Sequence, residues 1–153
     1  MLAGLAIALA ACTTPMAGDD PTIPAGDYQM AAAIAEARRT LPDFFAVAAS
    51  PPADTLGFRL RISATDGNRR EFVWVMPFQA LPDGGFEGTA AEQPSYLSNV
   101  REGQVIRFER SAIVDWGYTA NGHDIGSRTV CVMLGRMPKD RADELRREHR
   151  MGC

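Results

Sequence analysis

The densest group of chemically capable side chains in this sequence is Asp115-Trp116-Gly117-Tyr118, followed closely by His123, Asp124 and Arg128. An acid, an imidazole and a guanidinium beside two aromatic rings are the parts of a small ligand pocket. Asp115 and His123 also form a candidate acid–base pair, provided their side chains converge. The simpler reading is structural. Trp116 fills a core beneath a sheet, and Asp115 accepts hydrogen bonds from turn amides or from Arg128. That reading is preferred, so no catalytic residue is assigned. Asp115, Trp116, Tyr118, His123 and Arg128 are carried forward as a ligand or partner surface, with an enzyme site near Asp115, Trp116 and His123 as the alternative.

Other chemistries lack their parts. His123 and His149 are the two histidines, and neither has a second His or Cys at ligand spacing. No metal site is expected. No glycine-rich loop joins a strand to a helix in the dinucleotide or phosphate pattern. A Gly-x-Ser-x-Gly elbow and a Cys-x-x-Cys pair are both missing, and no cofactor is expected. Arg59 and Arg61 share a strand face, with Arg69 and Arg70 after the next turn. They form a candidate basic edge for an anionic headgroup or acidic partner, against a default of a solvated sheet edge.

The three cysteines tell more about address. Residues 1–12 read MLAGLAIALAAC, with eleven uncharged, small or apolar residues before Cys12. The run is too short to span a bilayer but suits the apolar core of an export signal. Leu9-Ala10-Ala11-Cys12 resembles a bacterial lipobox, in which the cysteine is acylated and the chain is cut just before it. Such signals open with Lys or Arg, and the first basic residue here is Arg38. A start upstream of Met1 is therefore expected. Thr13 in place of Asp favours the outer membrane, by resemblance to Gram-negative lipoproteins. Two or three acyl chains, at about 0.8 kcal/mol per buried methylene, make a lasting anchor. Residues 12–26, rich in Pro and Gly, read as a flexible tether. Export would place Cys131 and Cys153 where a disulfide persists, and these two are expected to pair.

The elements that must position these residues follow from periodicity. A helix is expected over 27–40, with Asp27 as its cap and Met30, Ile34 and Ala37 on one face. Leu41, Phe44 and Phe45 continue the packing beyond a break near Pro42. Leu56 to Ala64 alternates with period two, one face buried and one solvated. Asp66-Gly67 turns the chain into Glu71–Met76, apolar on both faces and the most central strand. Weaker strands are expected at 86–90 and 104–109, with Tyr96, Leu97 and Val100 as an irregular packing segment between them. Ile113 to Thr119 leads to Asn121-Gly122, the strongest type I′ hairpin signal. The return strand is expected at 128–134. Pro138 starts a charged last helix, with Asp143 and Arg147 paired at i, i+4.

The whole chain has 153 residues, 46% hydrophobic and 23% charged, with a formal net charge of −3. That fits one globular domain. It gives no electrostatic reason for nucleic-acid binding.

Glu71-Phe72-Val73-Trp74-Val75, Gly88-Thr89 with Pro94, and Gly103 to Phe108 share order and spacing with a known family. Ile113-Val114-Asp115-Trp116-Gly117-Tyr118 and Gly126 to Val130 continue the match. Residues 72–134 thus resemble the bacterial domain of unknown function 2314, or YegJ-like, family. The resemblance implies a small α+β domain with an antiparallel sheet and brings no chemistry with it.

The expected fold is α+β: an N-terminal helix on a strongly bent antiparallel sheet of five to six strands, then a short C-terminal helix. Residues 1–11 are a signal peptide, 12–26 a tether, 27–136 the domain and 137–153 the C-terminal helix and tail. The expected role is non-catalytic binding of an envelope component on the periplasmic side of a membrane. An immunity-like protein neutralising a toxin is a further alternative.

Overall fold

The computed structural model describes residues 26–153. The expected leader, Cys12 and nearly all of the tether lie outside that range. Helix α1 spans Tyr28–Arg39. Asp27 caps it, its Oδ1 accepting the Met30 amide at 3.0 Å, and Arg38 and Arg39 sit at the negative end of the dipole. Helix α2, Leu41–Ala49, begins where a break was expected. Pro42 lies in its first turn, where a missing N–H costs nothing.

Six strands form one antiparallel sheet in the order β4-β3-β2-β1-β5-β6. They are β1 Thr55–Asp66, β2 Arg69–Ala80, β3 Phe86–Ala90, β4 Val105–Phe108, β5 Ile113–Ala120 and β6 His123–Gly126. The β1–β2 hairpin at the centre closes through Gly67 at φ 60° and Asn68. Register shifts within the β1–β5 and β2–β3 pairings bend the sheet. At the β5–β6 turn, Asn121 and Gly122 have φ of 49° and 76°, the left-handed pair a type I′ turn demands.

One sheet face is apolar. Leu60, Ile62, Val73, Val75, Ile113 and Trp116 pack with Ala37, Leu41 and Phe44 of the helices into the main core. Phe44 sits among rings, with its centroid 5.1 Å from Trp116 and 6.0 Å from Phe58. Beyond β6, the free carbonyls of β5 are taken by other groups. Arg38 Nε donates to Ile113 O at 2.9 Å, and the Ser127 amide donates to Trp116 O at 2.8 Å.

The expected return strand at 128–134 is instead helix α3, Arg128–Leu134. β6 ends at Gly126, φ 90°, and Ser127 at φ 50° turns the chain out of the sheet. A Cβ on Gly126 would lie 2.3 Å from Trp116 O, so only glycine allows this approach. Val130, Val132 and Leu134 read as period two, yet Thr129/Met133 and Val130/Leu134 also sit at helical i, i+4 spacing. Tertiary contacts of Thr129 decide for the helix.

Helix α4, Lys139–Glu148, buries only Ala142. Its Asp143 pairs with Lys139 and, at 3.1 Å, with Arg146 rather than with Arg147. The tail then runs beside β6, where Met151 forms a parallel bridge to Asp124. Cys153 is disulfide-bonded to Cys131, with α-carbons 5.8 Å apart. The expected pair is formed, with Cys131 on α3 rather than on a strand.

Candidate functional site

Strand alternation sends Arg59 and Arg61 of β1 to the face opposite the main core. Arg61 stands across from Asp115 on β5 and from Trp74 on β2. Asp115 is fully buried. Its Oδ2 accepts from the Thr129 amide at 2.7 Å and from Thr129 Oγ1 at 2.6 Å, and its Oδ1 accepts from the Trp116 amide at 2.9 Å. Arg61 Nη1 donates to Thr129 Oγ1 at 3.0 Å. The Arg61 guanidinium lies 5.5 Å from the Trp74 ring centroid. Burial pushes the Asp115 carboxyl above its ordinary pKa, and the hydrogen bonds and Arg61 charge oppose that rise without cancelling it. Every partner of this carboxylate is part of the fold. It sits under α3, closed to solvent.

Two residues along β1 the arrangement opens. Arg59 Nη2 donates to Asp124 Oδ1 at 2.5 Å and to Ser127 Oγ at 3.0 Å. Its guanidinium lies 5.0 Å from the Trp74 ring centroid. Gly117 permits this, since a Cβ there would lie 2.9 Å from both Arg59 Nη2 and Ser127 Oγ. Here a cleft of about 310 Å³ opens over Arg59, Trp74, Thr119 and Asp124. Ser127 and Val130 form one wall, and His149 and Met151 of the tail form the other. In the ion pair the Asp124 side chain is 8% exposed and that of Arg59 is 23% exposed. Both residues line the cleft, and the Arg59 side chain is the more open of the two. The site therefore offers a cation, hydroxyls, an imidazole and an apolar floor, which is equipment for holding a polar ligand or a partner's side chain.

Of the five residues expected to make a surface, Trp116, Tyr118 and Arg128 meet, while Asp115 and His123 stand apart from them. Trp116 is buried on the opposite face, its Nε1 donating to Ala37 O at 2.9 Å. Arg128 lies over that ring, its guanidinium 4.7 Å from the centroid, and does not bond Asp115. Tyr118 stacks on Phe58 at 4.9 Å. His123 is exposed at the hairpin tip, paired with Ala120. The expected basic edge is also corrected. β1 is an interior strand, Arg61 is buried, and Arg69 donates to Tyr96 O at 3.2 Å. Sequence reasoning missed Trp74 and Ser127 as site residues, and it placed Arg59 on a basic edge rather than in a cleft. The available signal was the pair of arginines on a nominally solvated face, matched by two aspartates downstream. Among the described residues no three His, Cys, Asp or Glu side chains gather as a metal site needs.

The class is thus a small α+β domain, with one apolar and one polar-lined sheet face and a cleft on the polar side. The chain belongs to the family of domain of unknown function 2314, described as an uncharacterized protein conserved in bacteria, which matches residues 27–151. It is 33% identical over 128 residues to the "Uncharacterized protein YegJ" of Escherichia coli (strain K12), with 82% of each chain covered. No solved structure matches.

Proposed function

We propose that this is a lipid-anchored envelope protein whose domain binds a ligand or partner non-catalytically through the Arg59–Trp74 cleft. The observation that carries the binding reading is the cleft itself. Arg59 is fixed by Asp124, Ser127 and the Gly57 carbonyl, yet its side chain keeps 23% exposure and lines an open, partly apolar hollow. Fixed polar groups on a rigid sheet bind at low entropic cost. The membrane reading rests on Leu9-Ala10-Ala11-Cys12 after an apolar run, with the outer membrane favoured by Thr13. No helix among the described residues is long and apolar enough to cross a bilayer. An enzyme site at Asp115, Trp116 and His123 has less support, because the three side chains lie in different places. An immunity-like role would use the same cleft and differ only in what fills it.

A photo-activated cross-linker placed at position 149 or at position 123 in intact cells tests the binding reading. A discrete adduct from position 149, absent from position 123, is expected. Equal labelling from both positions, or none from either, overturns the cleft as the binding place.

A further inference from the structure

The cleft wall made by the tail is poorly supported by packing. Helix α4 buries only Ala142, and in the tail His149, Arg150, Gly152 and Cys153 are all exposed. Met151, half-buried, is the tail's one apolar insertion. Only a few bonds tie the tail to the sheet. The Asp124 amide donates to Arg150 O at 3.3 Å, Met151 bridges Asp124, and Cys153 is bonded to Cys131 on α3. A terminal segment with one buried apolar side chain frays unless it is tied down. The covalent tie at Cys153 lies beyond His149 and Met151, so it holds both wall residues against the domain.

We propose that the tail is a redox latch on the cleft: with Cys131–Cys153 oxidised it completes the wall, and reduction releases residues 149–153 and removes the wall that bounds Arg59 and Trp74. A dithiol supplies the chemistry. Its first thiolate attacks one sulfur of the Cys131–Cys153 bond and forms a mixed disulfide. Its second thiolate then displaces that cysteine. Both cysteines leave as thiols, and the reductant's two electrons are accounted for by its own cyclic disulfide. The domain stays folded, because the main core involves neither cysteine. The consequence for function rests on the cleft being the binding place, but the latch itself can be read without a ligand.

The test compares amide hydrogen exchange before and after dithiothreitol. It uses the full chain carrying Cys12→Ser, so that Cys131 and Cys153 are its only cysteines. Exchange at Asp124 is expected to accelerate by about tenfold or more as the tail opens locally. The Ser127 and Thr129 amides, bonded to Trp116 O and to Asp115, keep their protection. A chain ending at Glu148 shows the reduced pattern without reductant. Unchanged Asp124 exchange after complete reduction overturns the latch. So does a joint loss of protection at Ser127 and Thr129, which would make the bond a support of the whole domain. Neither result bears on cross-linking from position 149, which tests the binding reading separately.

Discussion

Arg59 and Arg61 stand two residues apart on one strand, on one face, and meet different fates. Arg61 is 6% exposed, closed in by Thr129, Met133 and the rings of Phe72 and Trp74. Arg59 touches the same Trp74 from the other side of the register, yet its side chain keeps 23% exposure and borders a cleft. What separates them is α3. The helix starts at Arg128 and lies over Asp115 and Arg61, leaving Arg59 beyond its first turn. Under the helix, Arg61 and Asp115 both bond Thr129 and so tie its first turn to the sheet. A charged pair beside it is left available to something else.

The first way to sharpen this contrast is to measure the opposite face, which sets the scale of stability. Trp116→Ala removes a ring that stacks on Phe44 and bonds Ala37 O. It should cost about 3–5 kcal/mol in denaturant unfolding, the range for buried aromatics. A variant that unfolds like the wild type would return Trp116 to the pool of binding residues.

Thr129→Val probes the closed end alone. It keeps the shape and removes the hydroxyl that Arg61 and Asp115 share. Losing those partners at a buried site should cost roughly 1–3 kcal/mol, and cross-linking from position 149 should persist. Loss of the adduct with stability intact would mean that the two ends work as one site.

The smallest effect is in pH. Burial raises the Asp115 pKa above its unfolded value of 3.8. The folded state then binds a proton that the unfolded state has already lost. Asp115 therefore favours folding below the unfolded pKa, and this contribution is lost as pH rises through the folded one. The stability difference between wild type and Asp115→Asn should shift toward the wild type as pH is lowered from 7 toward 4. A shift in the opposite direction would show that Arg61 and Thr129 outweigh burial.

Much of the frame was legible because local rules coincide with the fold. Asp27 caps α1, Asn121-Gly122 makes its left-handed turn, and Leu60 and Ile62 face the core. The site was not legible because it depends on pairing distant in sequence. Arg61 meets Asp115 only through the β1–β5 register, and Arg59 meets Asp124 only because β6 lies beyond β5. Strand alternation told the two faces of β1 apart, but it could not say that the polar face also has a cover. That cover was itself misread as a strand, since residues 128–134 satisfy both periods. The Cys131–Cys153 bond was legible by counting cysteines, which needs no register.

On the proposed function, the open end works at a membrane surface, where an intact Cys131–Cys153 bond keeps the cleft's wall in place. Intact-mass analysis of the protein taken from the membrane fraction, after unfolding and alkylation without reductant, tests both halves together. The expected result is a chain that begins at Cys12, carries acyl mass there and takes up no alkyl group at Cys131 or Cys153. A soluble, unacylated chain still carrying residues 1–11, or one alkylated at both remaining cysteines, would contradict it.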